Sequence, residues 1–327
     1  MGVINLVRQI TRIPFDFAQG TTNYTNSRIM ANLLFEIMRG RMMVDRGVAE
    51  DVYLPWMISI MNGTLQTGHL IREKGDFKPS AHHFDRNAFA IGAYEAMDSI
   101  EEATLGSIAV IPVIGEFLKY GTDCSYGAMD IVPAIFAAAD NGNIAGIVLE
   151  VDSGGGAENA VPPFIDAIKY AQSKGKPVVL HGDMVASAAY YVGSFCDYLM
   201  VDNLISSAFG SIGVYVSYMD YREKMKNDGI KAEFVYAPQS DLKNNEFRQI
   251  VDNNNKQPLI DNILKPSADR FIEAVKKNRA GKIKDDSDAY RGKLFEGKEI
   301  IKEGLADGFG SLRDAVKVAT SMAMIRK

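Results

Sequence analysis

Residues 145–156 read AGIVLEVDSGGG: a mostly apolar run, AGIVLEV, in which Glu150 is the one charged residue, is followed by DSGGG with three consecutive glycines. A mostly apolar run of this length, bounded by turn residues, is typical of a buried strand in a parallel sheet. The glycines allow a sharp turn and leave backbone N–H groups uncovered by side chains. A phosphate-binding lysine and GxGxxG spacing are both missing, which argues against a nucleotide. Taken alone the stretch is either a flexible loop or a set of N–H donors for an oxyanion or an extended peptide.

The sequence around this stretch alternates between strand and helix patterns. Strands of this kind separated by helices of 10 to 15 residues predict an α/β fold with a largely parallel sheet, in which functional loops follow the carboxyl ends of the strands. The predicted helices are 129–140 and 159–176, and the predicted strands are 107–115, 145–151, 177–183, 197–202 and 211–219.

A serine stands at the next strand end, where the chain reads DMVASAAYYVGS (183–194). Ser187 follows a predicted strand and opens a predicted helix, a position that suits a nucleophile whose neighbouring amide helps to bind an oxyanion. A serine nucleophile needs a base. His181, six residues upstream at the strand end, is the nearest candidate base. The sequence indicates no Asp or Glu that would orient it, so we interpret His181 as a structural histidine.

Composition narrows the functional classes. The chain has 327 residues, 47% hydrophobic, with a formal net charge of −5, and its lysines are scattered, which excludes a basic nucleic-acid surface. Cys124 and Cys196 lie far apart without metal-ligand spacing and are expected to be free thiols. We expect no cofactor and no metal. No secretory signal or 18-residue apolar run is visible, so we expect a soluble, cytoplasmic protein without a membrane span.

The first hundred residues follow another pattern. Residues 26–62 carry apolar side chains at helical spacing and many methionines, which predicts adaptable helical packing surfaces. Residues 72–87 are polar and are predicted to form a loop or linker. His82 and His83 lie in that stretch, but without a third ligand nearby they are not expected to bind a metal.

Four motifs in order carry a family resemblance: SGGG at 153–156, VASAAYY at 185–191, AFGSIGV at 208–214 and GKLFEGKEIIKEGLADGFGSLRDAV at 292–316. Together they resemble the SppA-like serine peptidases, the signal peptide peptidase A family. The resemblance implies a ClpP/crotonase-like fold of repeated ββα units. It divides the chain into a mainly helical N-terminal extension, 1–104, and a peptidase domain, 105–327.

The resemblance also implies the roles of the residues around the serine. Ser187 corresponds to the family's nucleophile, in a serine-alanine-alanine context where the family usually has serine-glycine-glycine. The backbone N–H groups of Gly156 and Ala188 would form the oxyanion hole, and Gly155 would pair with the substrate backbone.

The resemblance also implies the catalytic base, although the sequence matches the family less closely at that position. Family members use a Ser-Lys dyad, and APQSDLKNNEFR (237–248) stands at the lysine's place and offers Lys243. Lys231 and Lys256 are the competing candidates. Ser211 matches the family's second hydroxyl, which orients the amine, although a serine that only satisfies a backbone group is the alternative. Because the segment around Lys243 is polar, we expect it to be displaced in an isolated subunit and to become ordered by substrate or a neighbouring subunit.

The sequence therefore predicts a serine endopeptidase that acts on peptides or proteins and assembles as a ring or dome of identical subunits. The family includes phage and prophage capsid maturation proteases, and the methionine-rich extension favours that branch, with action inside a procapsid. Two alternatives remain. One is a crotonase-type acyl-CoA enzyme using Glu150 and Glu158, and the other is an inactive shell protein.

Overall fold

The structure is a computed structural model, and it describes residues 42–44, 77–84, 94–97, 99–121, 125–218, 220, 222–231 and 233–326. The described residues form eleven strands: β1 Met42–Val44, β2 Ser80–Phe84, β3 Tyr94–Met97, β4 Ser107–Ile114, β5 Ile144–Ser153, β6 Gly155–Ala157, β7 Val178–Ala186, β8 Tyr198–Val201, β9 Ala208–Gly210, β10 Leu294–Glu296 and β11 Gly308–Phe309.

Nine α-helices accompany the strands in the same part of the chain: α1 Ala128–Asp140, α2 Val161–Ser173, α3 Ala188–Gly193, α4 Arg222–Asn227, α5 Asn245–Asn253, α6 Gln257–Leu259, α7 Lys265–Asn278, α8 Lys298–Lys302 and α9 Leu312–Ile325. A π-helical turn, Ile260–Leu264, connects α6 to α7, and single 3₁₀ turns lie at Glu158–Ala160, Pro238–Ser240 and Asp288–Arg291.

Nine of the strands form one sheet, with the order β10-β9-β7-β5-β4-β2-β3 and with β8 paired to both β7 and β11. The centre of the sheet, β4-β5-β7, is parallel, as are the β7–β8, β7–β9 and β8–β11 pairs. The β2–β3, β2–β4 and β9–β10 pairs are antiparallel. The short strand β1 pairs with β6 in a separate two-stranded sheet.

Helices cover both faces of the parallel centre. On one face, α9 packs Ala315, Val316 and Ala319 against alternate strand residues such as Ile108 and Val148. On the other face α1, α2 and α3 cover the residues that alternate with these, in one large apolar core. A strand with apolar packing on both sides is apolar on both faces, which is why residues 145–149, AGIVL, show no alternation of apolar and polar side chains. The α/β class predicted from the sequence is confirmed.

One predicted strand is wrong. Residues 211–219 were expected to be extended, but the strand that pairs with β7 is β9, Ala208–Gly210, and it ends before Ser211. Gly210 has φ 127° and Ser211 has φ 54°, so the backbone leaves the extended conformation here. The apolar alternation of SIGVYVSYM therefore does not decide where pairing ends.

The N-terminal predictions are tested only in part. Within 26–62 the structure describes Met42–Val44 alone, and these residues form a strand, so the helix prediction is wrong there; the remainder lies outside the described residues. The loop predicted over 72–87 is wrong at Ser80–Phe84, because β2 pairs with both β3 and β4. The sheet thus extends to the N-terminal side of the predicted boundary at 104/105, whose position stays a prediction. Among the described residues, no helix is both long and apolar enough to span a bilayer.

Candidate active site

Three neighbouring parallel strands end at the same place in the sheet. Ser153 at the end of β5 is paired with Val185, and Ala186 at the end of β7 is paired with Gly210. The residues that follow these pairs are therefore brought together: the glycine stretch after β5, Ser187 after β7 and Ser211 after β9. The structure places the predicted nucleophile and the predicted oxyanion loop at the carboxyl edge of adjacent strands, where α/β sheets carry their sites.

Strand β7 is divided between two partners, and this division positions its end. Residues 179–182 pair with β8, whereas residues 184–186 pair with β9. At the point of change, Asp183 accepts hydrogen bonds from Ser207 Oγ at 2.6 Å and from Asn203 Nδ2 at 3.2 Å. These bonds fix the loop between β8 and β9 and so bring β9 alongside the last residues before Ser187.

Ser187 has a backbone conformation that non-glycine residues rarely adopt. Its φ and ψ are 54° and −116°, and it is only 1% exposed. Its N–H donates to the Gly210 carbonyl at 2.8 Å, and its carbonyl accepts from Tyr191 N in α3. Its Oγ lies 3.5 Å from the Gly213 carbonyl oxygen. A conformation of this kind costs about 1–3 kcal/mol and persists where surrounding contacts enforce it, often at catalytic turns.

The glycine stretch is fixed by hydrogen bonds on one side. Ser153 Oγ donates to the Gly115 carbonyl and accepts from Gly155 N–H at 3.1 Å. Phe117 pairs with the stretch in a parallel bridge, in which Phe117 N donates to Gly155 O at 2.9 Å and Ala157 N donates to Phe117 O at 2.7 Å. Both backbone polar groups of Gly155 are thus engaged within the chain. Its pairing with substrate stays a prediction.

Gly156 must be glycine for packing reasons. A Cβ at this position would lie 2.2 Å from the Phe117 carbonyl oxygen, so that no side chain fits without moving the paired backbone. Ala188, the other predicted oxyanion residue, is the first residue of α3 and is fully buried. The N–H groups of the first turn of a helix have no carbonyl partner within that helix. Helix α3 packs against β6, which brings the two predicted donor residues into one region.

Lys243 is not brought to Ser187 in the single chain. It lies in the turn between the 3₁₀ turn at 238–240 and α5, and its side chain is exposed. The two competing lysines are exposed as well, and Lys231 forms an ion pair of 2.6 Å with Glu233. Ser211 follows β9 directly, and its N–H donates to the Lys293 carbonyl at 3.0 Å. The assignments of Lys243 and Ser211 remain predictions.

The turn that carries Lys243 is braced by Arg248. The guanidinium group of Arg248 donates to the Asp241 carbonyl and lies over the Tyr236 ring, 4.6 Å from its centroid. These contacts tie both sides of the turn to one arginine.

His181 has partners in the C-terminal motif. Its Nε2 lies 3.0 Å from the Gly310 carbonyl oxygen and 3.3 Å from Asp202 Oδ1, and the residue is buried. These contacts agree with a structural histidine. Cys196 is a buried free cysteine, and burial raises the pKa of its thiol, so it is an inert thiol. Cys124 lies outside the described residues.

Two residues of the site were not singled out from the sequence. Ser153 anchors the glycine stretch through its hydroxyl, and Phe117 forms the backbone pairing on its inner edge. The position of Ser153 as the first letter of SGGG is a signal that could have indicated it. Nothing in the sequence around Phe117 indicates its pairing, because its partner is far along the chain.

No group of three or more histidine, cysteine, aspartate or glutamate side chains within the described ranges is arranged to hold a metal ion. His82, on β2, is hydrogen-bonded to Ser80 Oγ at 2.8 Å instead.

The fold and the site define a class, that of α/β proteins with a serine on a strained turn beside a glycine-rich strand. The predicted resemblance to SppA-like serine peptidases is confirmed by a family model, Peptidase family S49, which matches residues 170–326. Ser187, the C-terminal motif and the Lys243 segment all lie inside the matched part, and the glycine stretch precedes it.

Individual relatives agree with this match. Protease 4 of Haemophilus influenzae is 27% identical over 223 residues, which cover 67% of this chain and 35% of the relative. Head-tail preconnector protein GP5 of Enterobacteria phage P21 is 28% identical over 227 residues, which cover 65% of this chain and 43% of the relative. Among solved structures, a ClpP1 mutant from Listeria monocytogenes aligns with 63% of this chain and 94% of its own, with 12% identity and a TM-score of 0.36. The chain spans less than half the length of the two curated relatives.

Proposed function

We propose that this protein is a serine endopeptidase with Ser187 as its nucleophile. The proposal rests on two features that lie together at the carboxyl edge of the sheet. Ser187 is held at φ 54° at the end of β7. Beside it, the glycine stretch pairs with Phe117 along one edge, and its opposite edge is the one that a substrate would use. The family match supports hydrolysis of peptide bonds. A crotonase-type reaction has less support, because the Glu158 carboxylate is bound by Arg270 at 3.0 Å.

The reaction follows from the placement of these groups. Ser187 Oγ attacks the carbonyl carbon of a bound peptide, and the oxygen of the tetrahedral intermediate is stabilised by the N–H groups of Gly156 and Ala188. The amine product leaves after taking up a proton, and water then attacks the ester on Ser187. We assign the proton transfers to Lys243, with Ser211 as the hydroxyl that orients its amine.

Lys243 needs a change of environment to perform this role. A lysine in water has a pKa of about 10.4 and holds its proton at neutral pH, whereas burial against apolar groups lowers that pKa by up to several units. The exposed position of Lys243 in the single chain therefore suits an enzyme whose base is assembled by substrate or by an adjacent copy of the chain.

The biological context we propose is maturation of a phage particle. A relative from Enterobacteria phage P21 is named as a head-tail preconnector protein, and its alignment covers 65% of this chain. The proposed substrate is a protein, processed inside the procapsid, and the proposed assembly is a homo-oligomer.

Labelling with a fluorophosphonate tests the nucleophile. We expect the reagent to attach covalently to Ser187, as located by peptide mass spectrometry. The variant Ser187→Ala should lose this labelling and any peptidase activity, by several orders of magnitude in kcat, while it keeps its circular dichroism spectrum. Ser206→Ala is the matched control, since Ser206 is an exposed serine in the loop after β8. Normal cleavage by a folded Ser187→Ala protein would refute the assignment.

The base is tested separately. Lys243→Ala and Lys243→Arg should both be inactive on a peptide substrate, because arginine does not release its proton near neutral pH. Lys256→Ala, at another exposed lysine, should retain activity. Parental rates in either Lys243 variant would exclude Lys243 as the base and leave the Ser187 assignment standing.

A further inference from the structure

Strand β6, Gly155–Ala157, pairs with Phe117 along its inner edge, and its outer edge is occupied by another segment of the same chain. Strand β1 pairs with β6 in antiparallel orientation, with Met42 opposite Ala157, Met43 opposite Gly156 and Val44 opposite Gly155. This is the edge that an extended peptide would use to reach Ser187, since the inner edge is taken by Phe117.

The direction in which Gly156 faces follows from the inner pairing. Phe117 bonds to Gly155 O and Ala157 N, and successive residues of a strand point their N–H and C=O groups to opposite edges. The N–H and C=O of Gly156 therefore face β1. In an antiparallel ladder, directly opposite residues that face each other exchange both hydrogen bonds. Gly156 N–H is thus directed at the carbonyl of Met43.

The register of β1 against β6 is the one that a bound peptide substrate would have. If Gly156 N–H is an oxyanion donor, the carbonyl oxygen that it binds belongs to the bond that is cleaved. Here that carbonyl is Met43 C=O, and the bond that follows it joins Met43 to Val44. Helix α3, whose first residue is Ala188, packs against the same strand β6.

We propose that residues 42–44 are the chain's own substrate segment and that the Met43–Val44 peptide bond is cleaved in cis. This proposal rests on the proposed function and adds a substrate and a cleavage position to it. Until cleavage, β1 occupies the edge that any other substrate must use, so that the segment also blocks the site.

The chemistry uses water as its only co-reactant. Ser187 Oγ forms a bond to the Met43 carbonyl carbon and gives up its proton to the base. The C–N bond to Val44 breaks, and that proton leaves on the new Val44 amine. Water then hydrolyses the ester between Met43 and Ser187, which yields a carboxylate at Met43 and returns the proton to the serine.

The test is incubation of the purified full chain followed by intact mass measurement and N-terminal sequencing. We expect a product whose first residue is Val44, and no such product from Ser187→Ala. Tagged Ser187→Ala chains mixed with parent chains should stay intact at Met43–Val44, because β1 and β6 belong to one chain. Cleavage of the tagged Ser187→Ala chains in this mixture would overturn cleavage in cis, and a product that begins elsewhere would overturn the register.

Two variants at one position separate chemistry from folding. Val44→Pro places the leaving nitrogen in a ring and crowds the Met43 carbonyl, while the N–H of Val44 points away from β6 and is not needed for pairing. Val44→Pro should therefore abolish the product, and Val44→Ala, which keeps a secondary amide, should still yield it. Equal cleavage of both would refute the assigned bond.

Fluorophosphonate labelling distinguishes the two possible failures. A chain that labels at Ser187 and cleaves an added peptide but leaves Met43–Val44 intact contradicts the self-cleavage proposal alone. A chain that neither labels nor cleaves any peptide contradicts the proposed function as well.

Discussion

Replacing Arg279 should lower the free energy of unfolding by an amount that can be worked out from the contacts of this residue. It lies just after α7 and is 2% exposed, with Nη1 2.7 Å from Asp307 Oδ2 and Nη2 donating to the Gly304 carbonyl at 2.6 Å. The Asp307 side chain is 11% exposed and also accepts from Leu199 N. The pair connects α7 to the GLADGFG motif and, through Leu199, to β8.

Replacing Arg279 with methionine removes one partner of this buried pair. Such a change costs about 3–5 kcal/mol, because the remaining charge stays buried without compensation. Lys282 Nζ remains 2.6 Å from Asp307 Oδ1 and compensates in part, which places the expected loss near the lower end, about 3 kcal/mol. Lys282 itself is 47% exposed, and Lys282→Met should cost roughly 0–1 kcal/mol because solvent screens that pair.

Urea denaturation of the two variants and the parent measures both free energies of unfolding. The reasoning requires Arg279→Met to be clearly less stable than Lys282→Met. If the two variants lose the same free energy of unfolding, burial does not determine the strength of this pair. The same conclusion follows if the free energy of unfolding of Arg279→Met lies within about 1 kcal/mol of the parental value.

Three further results are expected. Burial raises the pKa of Asp307, but hydrogen bonds from Arg279 and Lys282 outweigh this and hold it below its ordinary value of 3.8. Because the folded pKa is depressed, the stabilisation is complete above about pH 4 and is lost as pH falls further, so the difference between parent and Arg279→Met should narrow there in acid titrations of stability. Tyr190→Phe removes the 3.0 Å bond to the Leu305 carbonyl in the core and should cost about 1–3 kcal/mol, against roughly 0.5 kcal/mol or less for Tyr191→Phe, whose bond is exposed; equal losses in urea melts would contradict this. Gly156→Ala should abolish peptide cleavage because its Cβ collides with Phe117 O, whereas Gly142→Ala meets no atom within 4 Å and should be neutral; an active Gly156→Ala enzyme would refute the role of that strand.

The sequence alone predicted the features that depend on neighbouring residues. The mostly apolar run AGIVLEV indicated a buried strand, and β5, which contains it, is buried at Ile147, Val148, Leu149 and Val151. The small residues around Ser187 indicated a turn into a helix, and β7, Ser187 and α3 follow in that order. Both depend on local periodicity and residue size, which a sequence displays directly.

Pairing between distant segments was decided by the tertiary structure. Residues 80–84, within a stretch predicted to be a loop, become a strand because β3 and β4 supply hydrogen bonds on both of their edges, and β9 ends at Gly210 because the backbone turns there. The φ of 54° at Ser187 follows from bonds to Gly210 and Tyr191. Likewise, the place of Met43 opposite Gly156 joins residues more than a hundred positions apart, and no local pattern encodes such a register. Periodicity determines which residues can be extended and buried, whereas the identity of each strand's partner depends on contacts that form only when the whole sheet assembles.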